Sequence, residues 1–301
     1  MLSSVRQLLR GAAFTTAAAS LALWGSAAAF AQGSPPPFAT TKVQGTENVY
    51  IFRYGGHLSM FVVTKDGVIA TDPVSLQRSG KVYFEEIRKI TDKPIRYVIY
   101  SHSHLDHIAG GKVFKDAGAK FIAHQNAKRQ LEKIKYPDVV IPDEAVGNRR
   151  DIRLGGTTIE LHYLGRNHSD NALVMRLPKE RILFAVDWIP LDAVMWRNMP
   201  DSYPGEWEEG LKRVLKLDFD TMIAGHPGKG GRLTGTKKDV EDVLGFLTDL
   251  SAETKKAAET GKCFDAAMKE VKLPKYEGLA NYANWLPGNV ERYCGYWGRG
   301  F

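Results

Sequence analysis

Four side chains able to hold a metal ion stand close together in Ser101-His102-Ser103-His104-Leu105-Asp106-His107. Neutral imidazoles beside a carboxylate are the donor set that suits zinc and its neighbours among the divalent ions. The run just before, Ile95-Arg96-Tyr97-Val98-Ile99-Tyr100, is apolar and β-branched, as a buried strand should be. Just after, Lys112 to Gly118 has the form of a short helix with a glycine stop. The cluster is therefore expected on a loop at the C-terminal end of a strand, where α/β folds hold their ligands.

His102-x-His104-x-Asp106-His107 resembles the signature of the metallo-β-lactamase superfamily. The further ligands of that family follow in order. His168 stands in Gly165-Arg166-Asn167-His168-Ser169-Asp170-Asn171, Asp187 closes the apolar run Ile182 to Val186, and His226 closes Thr221-Met222-Ile223-Ala224-Gly225. The resemblance runs from Val49 to about Leu250 and implies an α/β fold, the αββα sandwich of two packed mixed β-sheets flanked by helices. It implies His102, His104 and His168 on one ion, Asp106, His107 and His226 on a second, and Asp187 bridging them. The implied cofactor is two Zn²⁺ per chain, with iron or manganese as other occupants. A hydroxide held between the ions would attack an ester, lactone, thioester or amide carbonyl. Asp106 would serve as ligand and as the catalytic residue that orients the hydroxide and passes its proton on. Two dications against two carboxylates and a hydroxide leave the site positive, so the expected partner is an anionic small molecule.

Asp187 carries the subdivision within that resemblance. A bridging Asp is similar to glyoxalase-II-like thioesterases and lactonases, whereas zinc β-lactamases have Cys or Ser near this position. Departures exist in both directions. Pro227-Gly228-Lys229-Gly230-Gly231 lacks the residues that follow the last ligand in glyoxalase II, and Trp188-Ile189-Pro190 lacks the Tyr of lactonases. His104 stands where flavodiiron proteins carry Glu. Two other activities of the same fold stay open: β-lactam hydrolysis, and a mononuclear-iron persulfide dioxygenase.

The chain has 301 residues, 44% apolar, enough for a substantial core. Its start differs in character. Arg6 and Arg10 precede an apolar run from Ala17 to Ala29, and Ala29-Phe30-Ala31 has the small-x-small form of a cleavage site. Residues 1–31 are expected to be a secretory signal peptide rather than a stable membrane anchor, which implies a periplasmic or secreted protein. Residues 32–47, opening with Gly33-Ser34-Pro35-Pro36-Pro37, are expected as a linker. The metallo-β-lactamase-like domain is expected over 48–260 and a C-terminal helical extension over 261–301. The formal charge of +7 invites a nucleic-acid partner, but export and the lack of a basic run with interleaved aromatics argue for none. Cys263 and Cys294 are the only cysteines, and an exported chain could pair them.

The elements that must position the cluster follow from periodicity. Strands are expected at Asn48–Arg53, Lys120–Ala123 and Ile159–Leu164. Hairpins are expected around Lys65-Asp66-Gly67 and Pro178-Lys179-Glu180. Helices are expected at Val82–Thr91, Asn126–Ile134 and Glu206–Leu217, and from a capping box at Thr236 to Gly261. The aromatic tail reads as small helices at Ala280–Trp285 and Val290–Trp297, packed on the sandwich or between copies; oligomeric state stays open. Asp72 is expected either to support a ligand histidine or to cap a turn. His57 follows Gly55-Gly56 in a loop that flanks the cleft in relatives and is expected to face solvent or else touch substrate, His124 to start or cap a helix, and His162 to be a packed or surface strand residue. Trp188, Met195 and Trp196 are expected as core or as the wall of an apolar pocket.

Overall fold

Alternating side chains divide each strand between two faces, and this builds the layers. The computed structural model describes residues 37–74 and 77–301. The expected leader and the proline run before residue 37 lie outside them. The first sheet runs in the order β1 (Phe38–Lys42), β2 (Val49–Tyr54), β3 (His57–Val63), β4 (Val68–Thr71), β5 (Ile95–Ile99), β6 (Lys120–His124) and β7 (Glu144–Val146). The second contains β8 (Arg149–Leu154), β9 (Thr157–Tyr163), β10 (Leu173–Leu177), β11 (Ile182–Phe184), β12 (Thr221–Ile223) and β13 (Thr234–Gly235), ordered from β13 back to β8. Leu58, Met60 and Val62 of β3 meet Leu173, Met175 and Leu177 of β10 in the layer between the sheets. Phe61 and Val174, one residue out of phase, face the outer helices instead. Each such apolar side chain contributes about 1.5–3 kcal/mol on burial.

The helices cover the outer faces. α1 (Gln77–Ile90), α3 (Lys112–Asp116) and α4 (Gln125–Ile134) follow the first sheet's strands. α5 (Pro204–Leu215), α6 (Lys237–Glu259) and α8 (Tyr282–Arg299) cover the second, with the short α7 (Asp265–Glu270) between α6 and α8. The Thr236 capping box forms as expected, with Asp239 returning the bond to the Thr236 backbone. No described helix is long and apolar enough to cross a membrane.

Three local expectations are corrected. The segment expected as a linker over 32–47 contains β1, whose Thr40 and Thr41 pair with Phe52 and Ile51. The metal-binding motif is not wholly loop: Leu105–Ile108 form a turn of helix, α2, so Asp106 and His107 project from a helical backbone. The aromatic tail is one helix across Pro287, not two. Proline there removes one helical hydrogen bond. Buried packing outweighs it: Asn289 Nδ2 donates to the carbonyls of Met195 (3.1 Å) and Arg197 (2.6 Å). Cys263 and Cys294 form a disulfide with their Cα atoms 5.4 Å apart, which ties the segment before α7 to α8.

Candidate metal centre

One edge of the sandwich collects the seven candidate metal ligands. β4 and β5 are parallel, as are β11 and β12, and their C-terminal ends lie together. β5 leads to His102, β11 to Asp187 and β12 to His226. β3 and β10 run antiparallel to these neighbours, so their N-terminal ends reach the same edge, bringing His57 and His168. The two sheets are stitched there by backbone bonds: Leu58 N–H donates to the Gly225 carbonyl (2.8 Å) and Leu173 N–H to the Ser101 carbonyl (2.8 Å). Asn171 adds a side-chain tie, its Oδ1 accepting from Ser103 N–H at 2.9 Å.

Backbone conformation at the edge is specialised. Asp72 and Asp187 both adopt positive φ, 31° and 46°. Such angles are uncommon outside glycine, and they aim a carboxylate where a regular strand would not. Gly225 makes room for Asp187: a Cβ there would stand 2.7 Å from its Oδ1 and 2.6 Å from Val186 Cγ1.

The donors fall into two groups. In one, His102, His104, His168 and Asp187 each offer an atom within 4.8 Å of the others; in the second, His57, Asp106, His107 and His226 do the same. Asp187 faces both groups. Its Oδ2 is 3.5 Å from His102 Nε2, 3.3 Å from His168 Nε2 and 3.3 Å from His107 Nε2, while its Oδ1 is 3.0 Å from His226 Nε2. The seven residues singled out from the sequence therefore meet at one point, and His57 joins them.

The rings are aimed by their other nitrogens. Ser101 Oγ lies 2.8 Å from His102 Nδ1, the Gly56 carbonyl accepts from His226 Nδ1 at 2.6 Å, and Asp201 Oδ2 accepts from His104 Nε2 at 2.7 Å. Holding one ring nitrogen fixes tautomer and orientation and leaves the other for an ion. Asp201 left no trace in the sequence because it lies 97 residues from His104. Asp72 is fully buried beneath the motif and accepts from Ser101 N–H (2.7 Å), so it supports the backbone that carries His102.

Electrostatics prepare the group for a cation. Burial, with neighbouring His104, pushes the His102 imidazole down to about 3, and burial pushes His168 down to about 4. Both are thus neutral ligands near pH 7. Burial alone would raise the Asp187 carboxyl, but His107 and His226 outweigh it and hold it well below the usual range. Burial alone would lower His107; Asp187 reverses this and lifts it to about 9. His102 Nε2, both nitrogens of His107 and Asp187 Oδ1 have no hydrogen-bond partner among the described residues. An unpaired buried polar atom costs about 1–3 kcal/mol. Several at one point, all of ligand type and converging, fit divalent ions.

The remaining candidates sit elsewhere. His124 caps α4, accepting from Asn126 N–H, and stacks on Tyr163 at 4.0 Å between ring centroids. His162 lies on β9 beside Glu160. Trp188 and Met195 are buried core residues of the layer that packs under α5, α6 and α8, with Met195 also bordering a cavity beside Phe246 and Tyr276 away from the donor groups; Trp196 is 51% exposed. His57, expected on a loop flanking the cleft, is instead the first residue of β3 and stands inside the site.

A family model described as the metallo-beta-lactamase superfamily matches residues 53–226, more than half of the chain. The chain is 26% identical over 194 residues to 2,4-dinitroanisole O-demethylase subunit alpha of Nocardioides sp. (strain JS1661), an alignment covering 64% of this chain and 58% of that relative. It is 26% identical over 202 residues to metallo-beta-lactamase type 2 of Bacillus cereus, covering 63% of this chain and 77% of the relative. Among solved structures, a metallo-beta-lactamase from Pontibacter korlensis superposes with a TM-score of 0.60 at 17% identity, covering 70% of this chain and 99% of that one. The chain thus spans less than two thirds of the demethylase subunit.

Proposed function

The chain belongs to the metallo-beta-lactamase superfamily, and from that membership we propose that it is an exported dinuclear zinc hydrolase of small anionic esters, lactones, thioesters or amides. The observation that carries this is Asp187: one carboxylate reaches histidines of two separate donor groups, with Oδ2 on one side and Oδ1 on the other. Two ions are favoured over one because each group has its own donors. When bound, the ions supply a water of near-neutral pKa and Lewis acidity for the scissile carbonyl.

The protein's part is orientation and proton handling. Asp106 is 49% exposed at the mouth of the site. Burial would raise its carboxyl, but a hydrogen bond from His57 and the charge of His107 hold it below the usual range. An ionised carboxylate in this position can accept a proton from the attacking water and return it to the leaving group. Asp106 and Asp187 cannot neutralise two dications, so the centre attracts anionic substrates. Export is supported by the leader-like start of the sequence and by the Cys263–Cys294 disulfide, a bond that persists in oxidising compartments.

β-Lactam hydrolysis is the second proposal, favoured by the similarity to the B. cereus enzyme. The test is a substrate panel on zinc-loaded protein: chromogenic lactone, thioester, aryl ester and cephalosporin, with 2,4-dinitroanisole added because of the demethylase relative. Turnover of one of the first three, with two zinc per chain, is expected. Turnover of cephalosporin alone would favour the β-lactamase proposal, and no turnover above the metal-free protein would sink both.

A further inference from the structure

The β2–β3 hairpin brings a histidine into the site that the family resemblance does not include. His57 opens β3, paired with Tyr54 across the turn. Its backbone is fixed to the ligand-bearing edge on both sides. The Gly56 carbonyl accepts from His226 Nδ1 (2.6 Å), and Leu58 N–H donates to Gly225 O (2.8 Å). The ring is thereby wedged edge-on between two other imidazoles, 5.3 Å from His107 and 4.8 Å from His226 between centroids. Its Nε2 lies 3.2 Å from Asp106 Oδ2, and His107 Nε2 lies 3.5 Å from the same oxygen.

These spacings have a physical meaning. Bonds of about 2.0–2.1 Å to one ion place neighbouring donor atoms about 3–3.5 Å apart, whether it holds four donors or five. A plain N–H···O bond prefers about 2.9 Å. The His57–Asp106 and His107–Asp106 separations lie within the former range. His57 and His107 converge on this one carboxylate oxygen, and His226 completes a group whose donor atoms all lie within 4.8 Å of one another, the spacing a common cation would draw together.

We infer that His57 is a fourth protein donor to the second ion, joining Asp106, His107 and His226. This rests on the two-ion proposal. With Asp187 shared, the second ion then carries five protein donors and the first carries four, namely His102, His104, His168 and Asp187. The second ion would then have one more protein donor than the first.

The test uses the whole protein loaded with cobalt(II), whose visible bands report the ligand set, with chelator titration and metal analysis alongside. His57→Gln keeps an N–H that can hydrogen-bond to Asp106 but offers no imidazole nitrogen; His57→Ala offers neither. Loss of an outer partner costs about 10–100-fold in metal affinity. A lost ligand is expected to exceed that for one ion, with changed bands and the other ion retained, in both variants. Circular dichroism checks that both remain folded, which a site at the surface end of a hairpin should allow. If wild type holds two ions and His57→Gln holds both equally tightly with unchanged bands, His57 is not a ligand. If wild type itself fails to hold two ions, the two-ion proposal falls and this inference falls with it.

Discussion

The two donor groups have the same composition, three imidazoles and one carboxylate, and differ in how they are held. The group of His102, His104, His168 and Asp187 is largely enclosed, with Ser101 and Asp201 fixing two of its rings. The group of His57, Asp106, His107 and His226 opens outward: Asp106 and His226 expose 49% and 43% of their side chains. The difference teaches that one fold edge can hold a rigid anchor and an accessible face side by side. The enclosed group draws its aim from the protein; the open one has polar atoms free to meet a substrate.

The largest effect should come from the residue both groups share. Asp187→Asn removes a charge and a good donor from each, so both ions should weaken together. Turnover should fall roughly 10²-fold or more, equivalent to about 2.7 kcal/mol of barrier. Asp170→Asn is the control, because that carboxylate accepts from Asn171 and belongs to neither group. Metal stoichiometry and hydrolysis measured on both variants decide it; two tightly bound ions and normal turnover in Asp187→Asn would remove the shared bridge from the comparison.

Next come the groups taken separately. His168→Ala and His226→Ala should each lose about one ion per chain and most activity while staying folded. If either variant retains full metal and full rate, the division into two groups is drawn wrongly at that residue.

A smaller effect should follow at Asp201, which touches only the enclosed group. Asp201→Asn keeps the size of the side chain but weakens its hold on His104 Nε2. Affinity for the first ion should drop by roughly 10–100-fold while the second is retained. Competition against a chelator with two resolvable steps would reveal this, and equal weakening of both steps would contradict it.

The smallest effect on the centre should come from Cys263→Ser. Loss of the disulfide should cost about 2–4 kcal/mol of stability, seen as a lower denaturant midpoint, and leave metal content unchanged. A parallel loss of metal would mean that the α7–α8 region supports the site directly.

How much of this could be read from the chain depends on sequence distance. The cluster at His102 to His107 is contiguous, so residue types alone marked it. His168, in the loop before β10, and Asp187 and His226, just past the ends of β11 and β12, were legible because they follow in the order the family resemblance requires. His57 could be placed near the cleft but not among the donors, because a single histidine after Gly55-Gly56 carries no local signal. Its partner Asp106 is 49 residues away, and the contact exists only once β3 pairs with β4. Asp201 was missed for the same reason. The strand β1 was hidden by its neighbour: a short Phe-Ala-Thr-Thr-Lys segment after a proline run resembles a linker until β2 offers it an edge. The aromatic tail reads as two helices in sequence, and Pro287-Gly288 lies in the gap between them. Gly288 instead lets the helix lie against the Arg197 backbone, where a Cβ would stand 2.9 Å from the carbonyl oxygen.

The stitches at the site edge, Leu58 to Gly225 and Ser101 to Leu173, set a timetable. His57 and the motif are synthesised early; His226 comes more than a hundred residues later. Until both sheets have closed, no donor group is complete, so a nascent or translocating chain has no place to keep a pair of ions. If the chain is exported as proposed, capture of metal belongs to the destination compartment.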